Sequence, residues 1–202
     1  MKITLLFFLI YSNCKHRHLV FTIPAELRKF FRLDRFLLDL LFKTSSQTLF
    51  AWFYKLNKSE HFTPSFISTL HTFVRDLKWN THIHMILTEG ASGNHTVWRH
   101  IQHIPFTMLG RRFQATLLHL LHKYLGQDFY SLKPFLFERY KDSFYVYAKK
   151  EKVSIVKISI DYIIRYTGKP VMAQSRILDY DGQLVTSYYD RHEDGKLLWT
   201  LC

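Results

Sequence analysis

Apolar and β-branched residues crowd the stretch "HLVFTIP" (18–24), and its closing proline predicts a strand that stops there. Beyond Pro24 the period lengthens. In "AELRKFFRLDRFLLDLLFKTSSQTLFAWFYK", Leu27, Phe30, Phe31, Leu37, Leu38, Leu41 and Phe42 recur at helical spacing, and Arg28, Lys29, Arg32 and Arg35 supply a basic flank. "NKSEHFTPS" predicts a loop. Two strands are expected next, "FISTLHTF" (66–73) and "THIHMILTEG" (81–90), joined through "VRDLKWN". "HTVWRHIQHIPF" (95–106) predicts a third, ended by Pro105. "TMLGRRFQATLLHLLHKYLG" has a helical pattern that stops at Gly126, with Arg111, Arg112 and Lys123 on its outer face. "SFYVYAKK" is strand-like. "SIVKISIDYIIRYTGKP" predicts a helix with Ser154 as N-cap and Gly168 and Pro170 as its stop. "SRILDYDGQLVTSYYDRHEDGKLLW" predicts a hairpin through Asp181-Gly182, and a further strand is expected near Leu197.

Strands thus interleave with helices, and no repeat or low-complexity tract interrupts them. Long Val- and Ile-rich runs of the parallel-sheet kind are scarce. The expected class is α+β, with helices packed against a central, mainly antiparallel sheet. A chain of 202 residues can bury a substantial core, and 48% hydrophobic content argues against a disordered tail.

Charge narrows the partners. A net charge of +12, from 28 Lys and Arg against 16 Asp and Glu, points to a polyanion, nucleic acid before acidic membrane. Eighteen Phe and twelve Tyr suit buried faces, and equally flat platforms for bases. Cys14 and Cys202 lie near opposite ends and build neither a Cys-x-x-Cys pair nor a disulfide framework. A reducing, cytoplasmic setting is compatible. The opening "MKITLLFFLIYSNC" has the look of a short signal peptide but lacks a small-x-small cleavage site and is too short to span a bilayer. A first strand or an atypical start is the plainer expectation, and no membrane partner is expected.

The candidate chemistry begins at "THIHMIL". On a strand, residues i and i+2 share a face, so His82 and His84 aim together about 6.6 Å apart at Cα, with Ile83 and Met85 on the other side. Imidazole pairs suit divalent metals, but two ligands rarely suffice. His71, in "STLHTF", is the candidate third if the two strands are antiparallel neighbours. The competing reading makes His71 a core histidine and His82 and His84 exposed polar positions. A second His-x-His, His16 and His18, flanks Arg17 after Lys15 and reads as surface charge. His119 and His122 read as the rim of their helix. In "DYIIRY", Tyr162 and Tyr166 are four apart and share one helix face. Such a pair is commonly a packing feature. Beside a metal-bound phosphodiester it could instead supply nucleophiles, with Arg165 and Lys169 on flanking phosphates.

Taken together, "HLVFTIPAEL", "LHTFVRDLKWNTHIHMILTEG", "RRFQATLLHLLHKYL" and "YIIRYTGKPVMAQSRILDYDGQLVTSYYDRH" resemble the two-tyrosine transposases of rolling-circle insertion elements. These belong to the His-hydrophobic-His (HUH) nucleases. The resemblance covers about residues 14 to 196 and places the histidine pair on His82 and His84 and the tyrosines on Tyr162 and Tyr166. It implies a metal-dependent endonuclease and strand transferase that cuts single-stranded DNA at element ends and target sites through a 5′-phosphotyrosine link. Mg²⁺ or Mn²⁺ is the implied ion, and no small-molecule cofactor is expected. His71 stands as third ligand, and Arg165, Lys169, Arg111 and Arg112 as DNA contacts. Full members carry a cysteine-rich region before the "FTIP" strand and run beyond the "YYDRHEDG" hairpin. The expected organisation is therefore a catalytic core at 14–196, an atypical lead or remnant at 1–13 and a truncated end at 197–202. A non-catalytic DNA-binding remnant, or a metal-dependent nuclease using activated water, are the other readings.

Overall fold

The computed structural model describes residues 15–56, 60–73, 78–101, 103–148, 174–191 and 195–201. Strand β1 (His16–Thr22) leads through Pro24 into helix α1 (Ala25–Leu33), then α2 (Phe36–Leu56). Strands β2 (Thr63–Phe73) and β3 (Trp79–Ser92) follow, with the two-residue β4 (Arg99–His100). Helices α3 (Phe106–Leu125) and α4 (Leu132–Arg139) precede β5 (Val146–Ala148), and the chain closes with β6 (Ile177–Tyr180), β7 (Val185–Arg191) and β8 (Gly195–Leu201). The helix expected over 154–170 lies outside the described residues.

Five strands form one sheet in the order β2-β3-β1-β5, with β4 against β3. A second sheet runs β6-β7-β8. All the pairs are antiparallel. The expected α+β class, a central antiparallel sheet with packed helices, is what the chain adopts.

Alternation along the strands decides where the core sits. Leu19, Phe21, Ile83 and Met85 are fully buried and Leu87 is nearly so. They share one sheet face and join one cluster with Leu41, Phe53, Phe113, Leu117 and Leu121 from α2 and α3. The ring of Phe21 meets that of Phe113 at 5.1 Å. Burying such side chains stabilises by about 1.5–3 kcal/mol each, and this is what fixes the strand faces.

Three expectations need correction. The long helical pattern after Pro24 is two helices. Asp34 ends α1 through its backbone N–H to the Phe30 carbonyl (3.0 Å), and its carboxylate accepts the Phe36 N–H (2.9 Å), starting α2. A short acceptor side chain competing with the backbone breaks an otherwise continuous apolar stripe. The strand expected over 95–106 shrinks to Arg99–His100, paired with Gly90 and Ala91. Its apolar residues lack the alternation of a strand: Ile101 and Ile104, three apart, both pack on the core. Helix α4 was not expected at all. It is short, and among its residues only Leu136 is fully buried.

The stops behave as turn chemistry requires. Gly126 ends α3 at φ 63°, and Gly182 takes φ 97° in the hairpin between β6 and β7. Among the described residues, no helix is long and apolar enough to cross a membrane.

Candidate metal centre

The register of β2 against β3 places His71 opposite His82, and strand alternation puts His84 on the same face. The rings gather. Their centroids lie 5.3 Å apart for His71 and His82, 4.2 Å for His71 and His84, and 4.9 Å for His82 and His84. One nitrogen from each can be chosen so that all three lie within 4.8 Å of one another, a group that could hold a divalent metal ion. Ile83 and Met85, on the other face, carry the strand into the core.

The donors suit such an ion. Burial first, and then the neighbouring charges of His71, His82 and His18, lower the pKa of His84 to about 3. Burial, then His82 and His18, lowers His71 to about 4. His82 is lowered by burial and by the Arg28 charge, against a hydrogen bond that favours its protonated form. All three imidazoles are therefore neutral at pH 7 and keep a lone pair for coordination. In that hydrogen bond His82 Nδ1–H donates to the Asn80 carbonyl at 2.6 Å. The proton is thus held on Nδ1, which leaves Nε2 as the nitrogen with a lone pair to offer an ion.

A fourth histidine joins them. His16 and His18, expected as surface charge, are not. His16 is fully buried, and burial lowers its pKa against the opposing charge of Glu89. His18 is half-buried, its Nε2 lies 2.8 Å from His84 Nδ1, and the two rings stack at 5.0 Å and 9°. The reason is register. β1 pairs with β3 so that His18 lies opposite Ile86, one diagonal step from His84 on the same face. The sequence signal was there, an i, i+2 pair in a strand, but it has meaning only once β1 is known to neighbour β3.

Arg28 was also missed as a site residue. It sits on α1, its charge bears on His82, and its buried Nε makes no hydrogen bond among the described residues. Arg111 and Arg112 are elsewhere. They are exposed on α3, which packs through Phe113 and Leu117 on the opposite face of the sheet from the histidines. Arg111 Nε reaches the Asp142 carbonyl at 3.4 Å, and Arg112 lines a small cleft with Lys55 and Trp52. The fold does not bring these two arginines to the histidine face. His119 is exposed on α3 and His122 half-buried there, outside the cluster. Tyr162, Tyr166, Arg165 and Lys169 lie outside the described residues.

Residues 65–200 match the model of a family described as "Putative transposase". The chain belongs to that transposase family. The matched region takes in β2 and β3 with His71, His82 and His84, and begins after His18 and Arg28. The chain is also similar to the transposase for insertion sequence element IS801 of Pseudomonas savastanoi pv. phaseolicola, 26% identical over 181 residues. That alignment takes in 83% of this chain and 42% of the relative, so the chain spans well under half the length of that transposase. No solved structure matches the chain.

Proposed function

We propose that this transposase-family chain carries the nicking centre of a single-stranded DNA transposase of the His-hydrophobic-His kind, with Tyr162 and Tyr166 as its nucleophiles. The convergence of His71, His82 and His84 on one half-open sheet face carries the reading. The family match and the likeness to the IS801 transposase support it.

The three histidines would hold Mg²⁺ or Mn²⁺, with Asn80 and His18 orienting His82 and His84. A bound ion of this kind draws charge from the phosphate oxygens and so eases attack at phosphorus. The chain's own part is the covalent step. A tyrosine phenol gives up its proton, and its oxygen bonds to phosphorus. The P–O3′ bond breaks, the leaving 3′ oxygen takes a proton, and the 5′ end stays on tyrosine as a phosphodiester. Attack by a 3′-hydroxyl on that link rejoins DNA and frees the phenol, so the bond energy is conserved without a small-molecule cofactor. Two tyrosines four apart in sequence would permit two such links in turn. Arg165 and Lys169, close to them in sequence, would neutralise flanking phosphates.

The test is an adduct assay. Purified protein, end-labelled single-stranded element-end DNA and Mn²⁺ should give a protein–DNA adduct that survives denaturation. The adduct should vanish in the Tyr162→Phe/Tyr166→Phe double variant. An adduct that persists there overturns the assignment. Free 5′-phosphate ends with no adduct would point to activated water, and salt-sensitive binding with neither product to a DNA-binding remnant.

A further inference from the structure

Strand β5 lies beside β1 at the end of the five-stranded sheet. Val20 faces His84 on one side and Tyr147 on the other, so these three residues form one row across the sheet. One row along, Thr22 faces His82, and its N–H donates to the Tyr145 carbonyl at 3.0 Å. Cross-strand partners share a face. Tyr145 and Tyr147 therefore stand on the histidine face, two strand spacings or about 10 Å from the histidine column.

Their neighbours confirm the sidedness. Phe144 is buried in the core and Val146 packs against it, so the alternate residues Tyr145 and Tyr147 turn outward. Tyr145 is 62% exposed and Tyr147 44%. Their rings lie parallel, 6.1 Å apart at an interplanar angle of 6°. Among the described residues, Val20 and Thr22, short and half-buried, lie in the rows between them and the histidines. This sheet face thus carries the histidine cluster on β2 and β3 and two flat aromatic rings on β5 and just before it.

Resting on the DNA-nicking reading, we propose that Tyr145 and Tyr147 are a base-stacking subsite for single-stranded DNA, holding bases next to the phosphodiester at the histidines. Every base offers a π-face, so such a subsite tolerates any sequence, but it needs bases that are not already paired and stacked in a duplex. Charge fits the occupant. The chain carries +12, and Arg28 stands within electrostatic reach of His82 at this site with its Nε unpartnered among the described residues. The spacing fits as well, because a separation of about two strand spacings lies within reach of a neighbouring nucleotide.

Binding is measured apart from cleavage. The full chain with Tyr162→Phe and Tyr166→Phe, in EDTA, is titrated into a fluorescent single-stranded oligonucleotide carrying 2-aminopurine, and anisotropy and quenching are read together. Adding Tyr145→Ala and Tyr147→Ala should weaken binding about tenfold or more and relieve the quenching. Tyr145→Phe with Tyr147→Phe should stay within about twofold, since the faces remain. Unchanged affinity in the Ala pair, or a Phe pair as weak as the Ala pair, overturns the proposal. If the Ala pair melts early, the two single Ala variants carry the same test. Failure to form adducts in the nicking assay leaves this measurement intact, so the two readings fail separately.

Discussion

The Nε2 atom of His18 lies 2.8 Å from Nδ1 of His84, across 66 residues of chain. It ties β1 to the histidine pair on β3. When His84 ligates through Nε2 its proton sits on Nδ1, and His18 Nε2 is the acceptor that keeps it there. His18→Phe keeps a flat ring for the stack but loses the acceptor. Its Mn²⁺ affinity should fall about tenfold by titration calorimetry. His18→Gln, with an amide oxygen to accept, should recover most of it. A Phe variant that binds Mn²⁺ like wild type would show that the contact is packing alone.

Neighbours on β3 should fail in opposite ways. His82→Ala leaves two of the three imidazoles and should abolish measurable Mn²⁺ binding and adduct formation, with little loss of stability. Ile83→Ala opens a cavity on the fully buried face and should cost about 2–5 kcal/mol in denaturant unfolding while leaving Mn²⁺ binding in place. The same pattern in both variants would contradict the two-faced strand.

The lowered pKa values of His71, about 4, and His84, about 3, give stability a direction with pH. Each folded value lies below the ordinary 6.5. Between those limits the unfolded chain therefore takes up protons that the native chain refuses. Their contribution is complete above pH 6.5 and is lost as pH falls towards 4 and then 3. Urea midpoints should drop on acidification through this window. His71→Phe should flatten the drop. Mn²⁺ affinity should fall only towards the acid end of this window, as the folded rings themselves take up protons.

The donor set ranks the ions. Three imidazole nitrogens suit manganese better than magnesium, which prefers oxygen donors and sheds water reluctantly. Calorimetry should find Mn²⁺ bound at least about tenfold more tightly than Mg²⁺. EDTA should remove adduct formation, and Mn²⁺ should restore it. Equal affinity for both ions would mean that oxygen ligands dominate the site.

Asp34 caps α2 through the Phe36 N–H. Asp34→Ala should lower stability by about 0.5–2 kcal/mol, read as a shift in melting temperature, with Mn²⁺ binding unchanged. A smaller loss in Asp34→Asn than in Asp34→Ala would identify the acceptor oxygen as the cause.

Much of this fold was legible along the chain. Pro24, Gly126 and the Asp181-Gly182 turn stop or turn the chain where the sequence placed them, because proline and glycine act on their own backbone. The two faces of β3 were legible for the same reason, since alternation is a local property of any strand. Helix α4 was not, because eight residues with one fully buried position carry little period to read. The break at Asp34 was missed because one carboxylate outweighed the apolar spacing around it.

By itself the sequence determined the α+β class, the shared face of His82 and His84, and a charge suited to DNA. Only the tertiary structure decided which strands became neighbours. The order β2-β3-β1-β5 brought His71 beside His82, turned His18 from an apparent surface residue into a partner of His84, and stood Tyr145 and Tyr147 on the same face while Arg111 and Arg112 went to the other. Strand order and register answer to the burial of a whole apolar face beneath α2 and α3, a condition that joins residues far apart in the chain and leaves no mark in any single stretch of it.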